Sequence, residues 1–208
     1  MKKMMVVFVV LLGLMFMTTT AAFAQESRQD VSISGEVLAA PQVYGNTVTQ
    51  TSTVSGGFLL SYRYMLTPRS ALEVNYGWGH NSQIFSGASG TLPSTGIRVH
   101  TRQQEYTAAY VYTRNYRNFN PFAELGLGVM VFTPLQDAGT QSLDITKTNK
   151  NVGILSGLGL AYELSPSFDV RVEYRAFLTK APSFNYSNFQ TNRYEWLSVP
   201  SIGIAYHF

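Results

Sequence analysis

Residues 168–178 alternate without interruption. Phe168, Val170, Val172, Tyr174, Ala176 and Leu178 share one face, and Asp169, Arg171, Glu173, Arg175 and Phe177 share the other. A period of two is that of a β-strand; a helix with this order would be charged all round. The same period recurs in seven further segments. In 151–164, Val152, Ile154, Leu158, Leu160 and Tyr162 oppose Gly153, Gly157, Gly159 and Ala161. In 121–132, Ala123, Leu125, Leu127 and Val129 oppose Glu124, Gly126 and Gly128. Segments 102–113, 70–78 and 56–64 set Tyr106, Leu72 and Leu60 and their neighbours against Glu105, Glu73 and Arg63. In 194–208, Trp196, Ile202, Ile204, Tyr206 and Phe208 oppose Gly203, Ala205 and His207. The weakest is 31–39, with Val31, Ile33 and Val37 against Ser32, Ser34 and Glu36.

The connections between these segments alternate in length. Three are short, at 66–69, 114–120 and 165–167, and four are long and polar, at 41–53, 79–97, 133–150 and 179–194. Outer-membrane barrels have short periplasmic turns and longer external loops. The pattern therefore predicts an all-β fold: an eight-stranded antiparallel up-and-down transmembrane barrel with both termini in the periplasm. A soluble β-sandwich is the alternative. Aromatic placement separates the two. Tyr76, Trp78, Tyr194 and Trp196 fall at one rim of the outward face, and Tyr64, Tyr112, Tyr162 and Phe168 fall at the other. Two aromatic girdles suit the two bilayer interfaces, and a sandwich has no reason to form them. Pro200 interrupts the last strand. Proline cannot donate to a ladder, so a bulge or break is expected there.

The first residues read differently. Lys2 and Lys3 precede an apolar run at 4–17, then small residues ending Ala22-Phe23-Ala24. This predicts a signal peptide at 1–24, cleaved between Ala24 and Gln25, with the barrel domain at 25–208. The alternative, an uncleaved anchor, needs about 20 apolar residues. Removing the leader changes the charge. The chain holds 15 Lys+Arg and 12 Asp+Glu, and two of the lysines are in the leader, leaving 13 against 12. Net charge then gives no reason to expect a nucleic-acid partner. The chain has no cysteine. That excludes disulfides, thiolate metal sites and a lipoprotein anchor. Charged residues are 13% of the chain, while Tyr and Phe number 13 each. A globular protein ordinarily carries about twice that share of charge.

The chain resembles the small outer-membrane β-barrel family, which includes the OmpA transmembrane domain and OmpX-type barrels. The resemblance rests on Ser201-Ile202-Gly203-Ile204-Ala205-Tyr206-His207-Phe208, on Pro121-Phe122-Ala123-Glu124-Leu125-Gly126-Leu127-Gly128, and on Phe168-Asp169-Val170-Arg171-Val172-Glu173-Tyr174-Arg175. It implies a place in the bacterial outer membrane, with outer-membrane lipid as a partner. It also implies that Ile202, Ile204, Tyr206 and Phe208 form the signal read by the barrel-assembly machinery. The chain stops at Phe208, so the peptidoglycan-binding domain of OmpA-type proteins, and anchoring by that route, are not expected.

Eight strands enclose a space that side chains can just fill. The inward positions include Glu36, Arg63, Glu73, Glu105, Glu124, Arg171, Glu173 and Arg175. Turn positions set Arg63 opposite Glu73, and Arg171, Glu173 and Arg175 opposite Ala161, Gly159 and Gly157. The expectation is a packed, mutually neutralising polar plug; a wet channel lined by the same residues is the alternative. His80, His100, Ser82, Ser86, Asp137 and Asp144 lie near the external end. No motif assembles them into a nucleophile, base and orienting acid. We therefore expect no enzyme activity, cofactor or metal. The expected role is structural or surface-interacting, as a monomer with an unspecified surface ligand. A narrow solute passage is the alternative, and a lipid-modifying enzyme is a weaker third.

Overall fold

The structure is a computed structural model that describes residues 28–87, 92–93, 95–135 and 147–208. The expected cleavage site at Ala24 and Gln25 lies outside these residues, as do Asp137 and Asp144. Among the described residues, ten strands form one antiparallel sheet: β1 (Gln29–Leu38), β2 (Val43–Gly45), β3 (Val48–Ser52), β4 (Ser55–Thr67), β5 (Ser70–Gly87), β6 (Ile97–Thr113), β7 (Phe119–Pro134), β8 (Asn149–Ser165), β9 (Phe168–Lys180) and β10 (Tyr194–His207). Eight of them close on themselves. β1 pairs with both β4 and β10, β5 pairs with β6, and the remaining neighbours follow chain order. This is the predicted barrel. Closure leaves no free edge. Short turns lie at one end with both described chain ends, and the longer connections lie at the other.

Side-chain parity holds through every barrel strand up to the register shifts at Met65/Thr67 and Glu163/Ser165 beside the short turns. Leu127 and Leu158 are 62% and 68% exposed, whereas Arg175 and Phe177 on β9 are wholly buried. The outward belt is aliphatic because most strands place a Leu, Val or Ile at every second mid-strand position. The predicted pairs are present: Arg63 faces Glu73, and Ala161, Gly159 and Gly157 face Arg171, Glu173 and Arg175.

Two expectations need correction, and the bulge or break expected at Pro200 is a break on one side only. The first long connection is not an irregular loop. β2 and β3 form a hairpin, and β3 pairs with β5 beyond the barrel proper. Asn46 and Thr47 turn it with φ of 50° and 61°. Two successive left-handed residues are what a tight two-residue hairpin requires. The second connection is shorter than expected, because β5 and β6 continue their ladder to Phe85 and Ile97. Pro200 causes no bulge: it sits opposite Tyr174 in an unshifted register with β9. The break is on the other side. The β1–β10 ladder runs to Glu36↔Ser201, stops, and resumes as the single bridge Ala39↔Ser198. Ala39 and Ser198 exchange both backbone hydrogen bonds at 3.0 and 2.7 Å. Alternation makes Val37 and Pro200 the next mutual pair, and proline has no N–H to give it.

Candidate functional site

Among the described residues, the barrel interior is where charged side chains from many strands converge. All eight sequence-predicted lumen residues, Glu36, Arg63, Glu73, Glu105, Glu124, Arg171, Glu173 and Arg175, are buried there. Pairing differs by level. Near the short-turn end Arg171 grips Asp30 with a two-pronged bond, Nη1 donating to Oδ1 at 2.9 Å and Nη2 to Oδ2 at 2.8 Å. His207 sits between two acids, with Nε2 2.8 Å from Asp169 and Nδ1 3.9 Å from Asp30. Just above, Arg63 Nε donates to Glu73 at 2.6 Å, and its guanidinium lies 4.8 Å over the Phe122 ring. Below these groups a cavity of about 300 Å³ faces the short-turn end.

Arg175 is the hub of the middle layer. Its Nη2 donates to Glu105 at 2.6 Å and to Thr107 at 3.2 Å, and its Nε to Glu124 at 3.1 Å, with Glu173 at 3.3 Å. The small residues of β8 make room for this. A Cβ at Gly157 would overlap the Glu124 side chain, and one at Gly159 would overlap the Phe122 ring. Glu36 reaches in from β1 past Gly57 and Gly77, and its Oε2 has no partner. Glu73, Glu124 and Glu173 bring carboxylate oxygens within 4.8 Å of one another, the metal-like spacing found among the described residues. Glu73 and Glu124 are already held by Arg63 and Arg175.

Acidic side chains outnumber basic ones in the lumen. Eight buried carboxylates (Asp30, Glu36, Glu73, Glu105, Glu124, Asp169, Glu173 and Glu195) meet three buried arginines (Arg63, Arg171 and Arg175) and His207. The expected mutual neutralisation is therefore incomplete. The eight positions named from the sequence already set five acids against three arginines. Asp30, Asp169 and Glu195 lie at strand ends, yet keep the inward parity and add three acids.

The other half of the interior departs further from a polar plug. Toward the long-loop end Val99, Met130, Phe132, Leu155, Phe177, Leu197 and Val199 close into an apolar core. Loop residues cap it: Phe189, in a 3-10 turn at Ser187–Phe189, stacks on Phe85 at 4.3 Å, and Phe184 meets Phe85 edge-on at 6.1 Å. A thin polar layer borders this core, with Gln50 donating to Gln83 at 3.0 Å and Asn81 to Gln103 at 3.2 Å. Glu195, at the top of β10, is buried with both carboxylate oxygens unpartnered. The sequence reading placed Asp169 and His207 on the inward face without counting them as lumen charges, and it missed Asp30, Glu195 and the apolar core as a layer. Parity alone could have found the charged groups.

The hydroxyl and imidazole groups at the long-loop rim do come together in one case. Ser82 Oγ lies 3.0 Å from His100 Nδ1. They face each other across β5 and β6, and His80 packs on Trp78 at 4.5 Å. Among the described residues His100 has no carboxylate partner to orient it. The girdle residues Tyr64, Tyr112, Tyr162, Phe168 and Trp196 are exposed on the outward wall, and Trp78 is half-buried there. Ile202, Ile204, Tyr206 and Phe208 are exposed on the same wall at the end of β10.

A family model described as the outer membrane protein beta-barrel domain matches residues 9–208. Among solved structures, the outer membrane protein OprG from Pseudomonas aeruginosa is 15% identical, over 88% of this chain and 97% of its own, with a TM-score of 0.59. Neisserial surface protein A is 14% identical, over 88% and 98%, also with a TM-score of 0.59. Ail of Yersinia pestis, in complex with the heparin analogue sucrose octasulfate, is 16% identical over 87% and 99%, with a TM-score of 0.50. These likenesses are of fold. No curated protein matches the chain.

Proposed function

Because the chain belongs to the outer membrane protein β-barrel domain family and so resides in the bacterial outer membrane, we propose that it works as a closed barrel, structural or surface-interacting, rather than as a conduit. The carrying observation is that the interior is filled twice over. An ion-paired layer centred on Arg175 lies below an apolar core capped by Phe184 and Phe189. A solute crossing would have to break the first and melt the second. The β2–β3 hairpin and the loop that follows β9 are tied together over this core, with Asn46 Nδ2 donating to the Gln190 carbonyl at 3.0 Å. Their outer surface carries Tyr44 and Tyr186, both exposed. Exposed tyrosines are common anchors of protein contacts, which favours display over transport.

In this reading the Ser82–His100 pair is a cross-strand contact and the protein is not an enzyme. The closing strand, with Ile202, Ile204, Tyr206 and Phe208 on its outer face, is the segment the assembly machinery recognises, and the finished barrel is a monomer in outer-membrane lipid. Planar-bilayer recording tests the central point. The wild-type barrel is expected to show no steady openings of porin size. A variant that removes the cap, Phe184→Ala with Phe189→Ala, is expected to stay closed as well, because the Arg175 layer still blocks the path. Steady wild-type conductance would overturn the closed-barrel reading.

A further inference from the structure

The overall charge hides a segregation. Every side-chain carboxylate among the described residues lies at an inward position of the wall, Glu163 and Glu195 included. The outward wall carries cations instead, and at the external end they are confined to one side. Arg98 and Arg102 project from β6, Lys150 from β8 and Lys180 from β9. All four are within six residues of the external end of their strands. Arg98, Lys150 and Lys180 are exposed; Arg102 is half-buried, and its Nε has no partner.

The register brings these groups into one arc. Arg102 stands opposite Thr133 on β7, and Lys150 stands opposite Val131, two residues nearer the bilayer on the same strand. Gly153↔Thr179 sets Lys180, on the next strand, level with Val152 and two residues nearer the bilayer than Lys150. With neighbouring strands about 4.8 Å apart, the four cations span roughly 15 Å of rim. The rest of that rim is different. β10, β4 and β5 present Trp196, Phe58 and Trp78, and no outward cation among their described residues. The expected external girdle is therefore an aromatic arc, completed by a cationic one.

Immediately beneath the arc the wall of β7, β8 and β9 is aliphatic, with Val131, Val152, Leu127, Ile154 and Leu178, while β6 places Gln104 and Tyr106 under Arg102. A ligand seated there meets positive charge above and hydrocarbon below, so it must be an amphiphile with an anionic head. Basic groups at a membrane surface attract anionic headgroups by about 1 kcal/mol each, roughly fivefold per cation. We propose that Arg98, Arg102, Lys150 and Lys180 form a binding site for a phosphorylated lipid of the outer leaflet, held against the β6–β9 side of the barrel. Guanidinium groups suit phosphate geometry, and the flexible lysines adapt to its position. The site does not depend on whether the lumen is closed.

The test uses the full barrel, refolded in detergent micelles and analysed by native mass spectrometry with a bis-phosphorylated lipid A as probe. Wild type is expected to retain the lipid, and to lose it progressively as salt is raised. R102Q/K150Q/K180Q should bind at least about tenfold more weakly. R69Q/R114Q/R117Q, at the periplasmic turns, should bind like wild type. The heat-modifiable gel shift confirms that each variant is folded, and K150Q/K180Q gives an intermediate loss if the triple variant does not fold. Equal retention by the external and periplasmic variants would overturn the site. So would equal retention of the same lipid stripped of its phosphates. Equally tight binding of a phosphorylated sugar without acyl chains would replace the lipid with a soluble polyanion and also overturn it.

Discussion

The lower and upper halves of the lumen solve the same packing problem with opposite chemistry. The periplasmic half buries carboxylates around three arginines; the external half buries Phe, Leu, Met and Val. Both fill a narrow barrel, but they fail differently. An apolar core loses stability in proportion to the volume removed. A buried ionic layer is stable only as a set, since each charge removed leaves its partners uncompensated. The lower half is therefore the more brittle, although nothing about its packing looks looser.

The largest effect is expected from Arg175→Met. This variant keeps most of the side-chain volume but leaves Glu105, Glu124 and Glu173 without their shared cation. Breaking a buried pair in this way costs about 3–5 kcal/mol, and denaturant unfolding in lipid vesicles measures it. A loss under about 1 kcal/mol would mean that the layer is wet and screened. Next comes Leu155→Ala in the apolar half, which should cost about 2–5 kcal/mol in the same assay and leave the lower half intact. If both variants cost the same and shift conductance alike, the division into two halves has no energetic meaning.

Glu36→Gln should have the opposite sign. Glu36 Oε2 is buried without a partner. Replacing the carboxylate with a neutral amide is expected to stabilise the barrel by roughly 1–2 kcal/mol. Destabilisation would show that Glu36 has a cation in solution. The smallest effect on the finished barrel should follow deletion of Phe208. It is 44% exposed at the very end of the chain. Its ring therefore contributes less than the roughly 1.5–3 kcal/mol of full burial. Detergent refolding should stay near normal, while the folded amount in cell outer membranes falls. Equal harm to both would make the residue structural.

The barrel was legible because alternation is a local signal repeated eight times. Even Pro200 left the parity of Trp196 and Leu197 intact, since its missing donor faces β1 only. The lumen was legible as a set of positions but not as a chemistry. Phe177 continues the inward row of Arg171, Glu173 and Arg175, yet one aromatic after three charges does not announce an apolar core. That core exists only because Phe132, Leu155 and Leu197 meet it from other strands, and the meeting depends on strand tilt and loop folding. The β2–β3 hairpin had a signal in Val43-Tyr44-Gly45 before Asn46 and Val48-Thr49-Gln50 after Thr47. Two short strands of three and five residues did not stand out from a polar connection. The cationic arc was invisible for a different reason: Arg102, Lys150 and Lys180 are far apart in the chain, and only the closed register makes them neighbours.

The gap opposite Pro200 bears on how the barrel shuts. Joining β1 to β10 closes a loop of nearly the whole described chain, so this seam is the pairing with the greatest entropic cost and the last to be worth forming. Its unbroken stretch, from Asp30↔His207 to Glu36↔Ser201, begins at the periplasmic end. Beyond it a single bridge must form without help from its neighbour. Closure is thus directional, a zip that starts beside the described chain ends and halts one step short of the external lid. The same seam is where a fluctuating barrel would first part, and it would part from the outside inward.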